Sequence, residues 1–325
     1  MAEENKYVFG PVPSRRLRLS LGVDIVPFKV CTLDCIYCQI GRTTVKSIER
    51  KDYVPLEAVL AELKDKLQHG PQPDFITISG SGEPTLNSRL GELIDGIRKI
   101  TDIPVAILTN GTLLYRPDVR ADCAKADVVL PSLDAGDEQT FRKVNRPHKD
   151  ICIEKLVAGL CAFREEFAGR IWLEVFLVEG LNTDNEQIDK IKQLIARIRP
   201  DKVQLNTAVR PTAEAGVGRL DAGKLRAIAE KIGEECEIIT DFSLEHADKS
   251  KAQDELDSIS EGFAMIAQKE GTLLSMLKRR PCSLSDICSG LGLGRNEAIK
   301  YITHLQQGGF VGSTEKDGTT FFEAN

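Results

Sequence analysis

The segment 26-VPFKVCTLDCIYCQIGRTT-44 places three of the chain's nine cysteines, Cys31, Cys35 and Cys38, within eight residues. No cysteine precedes Cys31, and the next after Cys38 is Cys123. The spacing is C-x3-C-x2-C. Thiolates so placed on one loop reach three corners of an iron–sulfur cube and leave one iron free for another ligand. Two other readings fit the spacing: a zinc site completed by a distant histidine (His69, His148, His246 or His304), or small buried hydrophobes. The loop is polar and glycine-flanked, which favours the cube.

The rest of the chain bounds the setting. Its 325 residues are 42% hydrophobic and 28% charged, ordinary for a globular protein with room for one large domain and a small one. A net charge of −6 argues against a protein that simply coats nucleic acid. The N-terminus, MAEENKYVFGPVPSRR, lacks the apolar stretch of a signal peptide, and no run approaches the roughly 18 apolar residues needed to span a bilayer. A cytoplasmic location is expected, where clustered thiols serve metals or redox chemistry rather than disulfides. Cys123, Cys152, Cys161, Cys236, Cys282 and Cys288 are scattered and read as small core residues.

Short β-rich runs recur at 19–26, 74–79, 104–109, 127–133, 171–178, 202–207 and 236–240. Stretches with helical apolar spacing separate most of them, at 55–68, 88–100, 152–167, 185–198 and 222–235. Such alternation predicts parallel strands with crossover helices, an α/β fold whose chemistry gathers at the C-terminal strand ends. From Ser243 the sequence turns charged and apolar-poor. We expect a core over 1–242, a linker over 243–258, and a C-terminal domain over 259–325. The last reads as helix, short helix, turn, helix and a hairpin tipped by Lys316-Asp317-Gly318, the order of a winged helix-turn-helix.

The motif CTLDCIYC resembles the signature of the radical S-adenosylmethionine (radical SAM) enzymes. The resemblance implies a partial (β/α)6 TIM-like barrel over roughly residues 8–240. It implies a [4Fe–4S] cluster on Cys31, Cys35 and Cys38, with S-adenosylmethionine (SAM) chelating the open iron and the aromatic Tyr37 over the adenine. One electron then cleaves SAM to methionine and a 5′-deoxyadenosyl radical that abstracts hydrogen from a substrate. Other marks follow at strand ends. Gly80-Ser81-Gly82-Glu83 resembles the family's GGE motif, with Ser81 in place of a glycine, and implies contacts to the SAM amino group. Thr109 and Asn110, then Ser132 and Asp134, stand where the family contacts the SAM carboxylate and ribose. The family also implies a small electron donor, such as flavodoxin or ferredoxin.

Over 9–44 the chain is more loosely similar to the group of iron–sulfur oxidoreductases related to tRNA wyosine synthases. Those synthases carry cysteines upstream of the motif for a second cluster, and this chain has none, so one cluster is expected. Candidate substrate contacts are Arg15, Arg16 and Arg18, then Lys143, Asn145, Arg146, His148 and Lys149, then Asn206 and Arg210. Glu174 and Glu179 flank a strand without an assigned role. Over 259–325, seven Lys and Arg balance seven Asp and Glu, which favours docking of a partner or substrate over duplex binding, although Lys278-Arg279-Arg280 could touch phosphates. The expected function is radical chemistry on a macromolecule, RNA or protein. The alternative is an iron–sulfur, SAM-binding sensor that acts through its winged helix without turnover.

Overall fold

The computed structural model describes residues 7–14, 16–208, 212–214, 216–233, 236–239, 269–293 and 295–325. Arg15, Arg210, His246 and the expected linker lie outside the described residues. Eight strands form one sheet in the order β1 (Val8–Ser14), β2 (Arg18–Val23), β5 (Phe75–Ile78), β6 (Val105–Leu108), β7 (Val128–Leu130), β8 (Arg170–Leu177), β9 (Lys202–Thr207) and β10 (Cys236–Ile238). All neighbours from β2 onward pair in parallel, and β1 runs antiparallel at the edge. The short β3 (Val30–Cys31) and β4 (Val45–Lys46) pair separately, within the cysteine loop.

The strands are almost wholly buried, as expected of a parallel sheet flanked by helices. Helices α1 (Leu56–His69), α2 (Leu90–Arg98), α3 (Pro117–Cys123), α4 (Glu138–Val144), α5 (Ile153–Glu166), α6 (Asn185–Ile198) and α7 (Ala222–Ile232) cross between strands. Side-chain caps fix three of their starts: Asp137 for α4, Asp184 for α6 and Asp221 for α7 each accept from backbone amides of the first turn. One apolar cluster packs α1, α2 and α5 on the early strands, and another packs α6 and α7 on β8 and β9.

Every expected strand is present, and the sheet is the α/β, mostly parallel one anticipated. Its order carries two additions to six parallel strands: β10 beside β9, and β1, which sequence reading missed. Two prolines and a glycine interrupt VFGPVPS, which argues against a central strand, but an edge tolerates proline. Short α3 and α4 were also missed. They hold only seven residues each, too few to show a period.

A C-terminal module follows, with helix α8 (269–277), β11 (Cys282–Ser283), α9 (Leu284–Leu291), α10 (Arg295–Gln307) and the hairpin β12 (Val311–Lys316) and β13 (Thr319–Ala324). Its sheet order is β11-β13-β12. Ser283 and Asp286 make a capping box on α9. The module has its own apolar core, against which Val12 of β1 packs. Among the described residues, no helix is long and apolar enough to cross a membrane.

Candidate functional site

The cysteine loop leaves β2 and is clamped from three sides by backbone hydrogen bonds. Lys29 N donates to Ser81 O (2.7 Å) and Glu83 N to Val30 O (3.0 Å), which joins it to the loop after β5. Asp34 N donates to Asn145 O, Ile36 N to Val144 O and His148 N to Thr32 O, which joins it to the end of α4. Ala213 N and Glu214 N donate to Cys38 O and Ile36 O, tying it to the segment after β9. Gly82 makes the first clamp possible, because a Cβ there would lie 2.1 Å from Val30 O and force the two loops apart.

Within this frame the three thiols are neighbours: Cys38 helps raise the pKa of Cys31, and Cys31 and Cys38 help raise that of Cys35, while each thiol faces a nitrogen donor. Leu33 N and Asn110 Nδ2 lie 3.5 Å from Cys31 Sγ, Asn145 Nδ2 lies 3.5 Å from Cys35 Sγ, and Lys29 Nζ lies 3.1 Å from Cys38 Sγ. Burial, with Glu83 nearby, pushes the Cys31 thiol up to about 12, and burial beside Asp134 pushes Cys35 well up.

Lys29 is 3% exposed, and the sulfur is its hydrogen-bond partner. A buried ammonium needs a counter-charge. A thiolate bound to a metal centre supplies it, since coordination deprotonates the thiol outright. Nitrogen donors aimed at sulfur are what an iron–sulfur cluster takes from its surroundings. The residues therefore fit a [4Fe–4S] group held by Cys31, Cys35 and Cys38. Among the described residues, no three His, Cys, Asp or Glu close on one ion. His69, His148 and His304 turn to Asp65, Asp150 and Glu270, which leaves the zinc reading without a described histidine.

The strand-end residues meet around these thiols. Glu83 is 2% exposed: its Oε1 accepts from Thr85 N (3.0 Å), Thr85 Oγ1 and Thr109 Oγ1 (both 2.6 Å), and its Oε2 from Asn110 N (2.8 Å). Burial raises its pKa, and those donors oppose the rise. The carboxylate thus fastens the ends of β5 and β6 together, and the Oε2 atom, with one partner, keeps accepting capacity. Asn110 donates to Thr32 Oγ1 (2.7 Å) and accepts from Thr112.

Asp134 is a second buried hub. It accepts from Tyr37 Oη, from Asn145 Nδ2 (2.6 Å) and from Phe176 N (2.8 Å). Burial pushes its carboxyl up to about 6 against those three donors. Tyr37 stacks on Phe176 with ring centroids 3.9 Å apart, so one face of its ring is already covered. Ser132 forms an isolated parallel bridge with Glu174 and has no described part in the hub. The Oδ1 of Asn145, buried beside Cys35 and Tyr37, has no donor among the described residues.

A cavity of about 390 Å³ opens from Cys31 and Cys38 along the inside of the sheet, past Gly80, Gly82 and Tyr37. Glu83, Asn110, Ser132 and Asp134 lie behind its wall rather than on it. Its floor joins two candidate substrate contacts to an acid that the sequence had left without a role: Arg16 pairs with Glu174, whose Oε1 accepts from Asn206 Nδ2 (3.1 Å). Glu174 is the one incompletely buried position inside β8. Of the other candidate substrate contacts, Arg18, Lys143 and Lys149 are exposed and Arg146 pairs with Glu214; Glu179, also without an assigned role, pairs with Lys224. Sequence reasoning missed Lys29 and Phe176, and it placed Asn145 among substrate contacts, whereas the side chain faces Cys35. The only signal for Lys29 was its position two residues before Cys31.

Comparisons with known proteins agree with this geometry. The family model for the radical SAM superfamily matches residues 25–206, more than half of the chain. A GTPase Obg of Brachyspira hyodysenteriae is 43% identical over 238 residues, 73% of this chain but only 35% of that protein. A UPF0026 protein of Methanocaldococcus jannaschii is 38% identical over 63% of this chain and 64% of its own length. The chain thus spans about a third of the first relative and just under two thirds of the second. A SAM-dependent tRNA 4-demethylwyosine synthase of Pyrococcus abyssi is 25% identical over 52% of this chain and 54% of its own. A radical SAM methyltransferase from Sphaerobacter thermophilus shares the fold, with a TM-score of 0.52 at 16% identity over 69% of this chain and 67% of that one. The three thiols and the polar strand ends all fall inside the family match, and the chain belongs to the radical SAM superfamily, enzymes of SAM and a [4Fe–4S] cluster.

Proposed function

We propose that this chain reductively cleaves SAM and directs the resulting radical at a macromolecular substrate. The observation that carries the reading is the buried Lys29 ammonium on Cys38, within a ring of nitrogen donors around three thiols at the head of a cavity. When bound, the cluster and SAM together supply a one-electron cleavage to methionine and a 5′-deoxyadenosyl radical that abstracts hydrogen.

The chain's own residues do the rest. Cys31, Cys35 and Cys38 hold the cluster, and Lys29 offsets its charge. Glu83, behind the cavity wall, fastens the ends of β5 and β6 next to Gly80–Gly82, whose bare backbone would face the SAM amino group, and its Oε2 keeps accepting capacity. Asn110 and Asp134 orient the wall, and the unpartnered Asn145 Oδ1 accepts from a cofactor hydroxyl or amine. Tyr37 lines the cavity with its free edge and face, as an adenine contact would require. Phe28 and Val45, exposed on the outer side of the same loop, offer an apolar contact to a flavodoxin- or ferredoxin-type electron donor. The helix, strand, helix, helix and hairpin order of the C-terminal module supports a winged helix that docks the substrate.

Anaerobic protein reduced with dithionite and given SAM should release 5′-deoxyadenosine, and added total cell RNA or cell protein should raise the yield. The fraction that does so identifies the substrate class. No stimulation by either would contradict a macromolecular substrate.

A further inference from the structure

The Lys278-Arg279-Arg280 run follows α8, far in sequence from the cysteine loop, yet Met276, Arg279 and Arg280 line the mouth of the same cavity. Arg279 is locked there. Its guanidinium lies over the Phe9 ring at 3.9 Å from the centroid and pairs with Asp24. Asp24 is itself 7% exposed and also accepts from Ser81 N (3.1 Å) and Ser81 Oγ (2.6 Å). Phe9 can lie flat across β2 because Gly22 is bare: a Cβ there would lie 2.1 Å from the Phe9 ring. The C-terminal module is thereby fastened to the loop that carries Gly80 and Gly82.

The charges at this cavity do not balance. Four lining side chains are cationic (Arg16, Lys29, Arg279 and Arg280) and one is a carboxylate, Glu174. Glu174 answers Arg16, Asp24 answers Arg279 from behind the wall, and Lys29 is directed at Cys38. Among the described residues Arg280 has no ion-pair partner, although it is only partly exposed. Beside it the Nε of Arg279 is a buried donor with no acceptor among the described residues. An unmet buried donor is costly, so such a group points to an absent acceptor.

Resting on the radical SAM reading of the same cavity, we infer that the C-terminal module completes the substrate site, with Arg280 and the Nε of Arg279 receiving an anionic group of the substrate, a carboxylate or a phosphate. Guanidinium groups suit both oxyanions. The module thus supplies substrate recognition from inside the cavity mouth.

The test uses the full chain with its cluster loaded and SAM present, titrated by calorimetry with inorganic phosphate and, separately, with succinate. One of the two should bind, which distinguishes a phosphate-bearing from a carboxylate-bearing substrate. Arg280→Ala should weaken that binding by about tenfold or more, equivalent to about 1.4 kcal/mol. Arg280→Lys should recover part of it, and Arg295→Ala, at an exposed position that starts α10, should match the wild type. Iron content and SAM binding of each variant show that its site is folded. Binding to Arg280→Ala as tight as to the wild type, or no binding of either anion by the wild type, would overturn the inference. If the wild type took no SAM, the cofactor reading would fail instead, and the same titration without SAM would still decide the role of the arginines.

Discussion

The back and the mouth of the cavity are built on opposite plans. At the back, Glu83 and Asp134 together accept seven hydrogen bonds from six residues, and the thiols each face a nitrogen donor. At the mouth, among the described residues, the buried Nε of Arg279 has no acceptor and Arg280 has no ion-pair partner. A dense polar network fixes a single geometry, even with Asn145 Oδ1 left without a donor among the described residues, whereas the unmet donors at the mouth lower the cost of accepting a ligand. The back is organised for a resident group and the mouth for a transient one.

That contrast can be broken most sharply at Cys35. Cys35→Ala should lose the cluster outright, read as iron and sulfide content after anaerobic reconstitution, while stability shifts by only about 1 kcal/mol. Collapse of the whole fold would show that the loop is core rather than site. Next in size, Asp134→Ala strands Tyr37 Oη and the Phe176 amide, takes from Asn145 Nδ2 its shortest partner, and should cost about 2–3 kcal/mol by urea unfolding. A variant as stable as the wild type would mean that the back is not a rigid network.

Glu83→Ala should keep its iron but bind SAM on the order of tenfold more weakly by calorimetry, as expected when positioning hydrogen bonds are lost. Unchanged affinity would remove Glu83 from the SAM site. The smallest effect belongs to a surface reference, Asp118, held down at about 2 by hydrogen bonds and charge from Arg116 and Arg50. Its folded pKa lies below the unfolded value, so its contribution is present above roughly pH 4 and is lost as pH falls through about 2. Because half of the side chain is exposed, Asp118→Asn should cost under about 1 kcal/mol at neutral pH, less at pH 2 and nothing well below it. A larger loss would mean that the surface pair matters as much as the buried hubs.

The sequence made the back legible and left the mouth obscure, for physical reasons. The cysteine spacing, the Gly80–Glu83 turn and the polar residues after successive strands are local patterns, each readable within about ten residues. Parallel order then brings strand ends together without further information. The reach of Lys29 to Cys38 was hidden, because a lysine beside a motif looks like a solvated surface residue. The pairing of Arg16 with Glu174 joins residues 158 apart, and that of Arg279 with Asp24 joins residues 255 apart. No periodicity encodes such contacts. Edge strand β1, masked by its prolines, carries Phe9 and Val12, and through them the docking of the C-terminal module.

The most direct test of the account compares wild type and Cys35→Ala side by side, as 5′-deoxyadenosine formed per mole of protein under anaerobic reduction with SAM. We predict release by the wild type and none by the variant. A wild-type protein that carries its cluster, binds SAM and yields no 5′-deoxyadenosine, or a variant that yields as much, would contradict it.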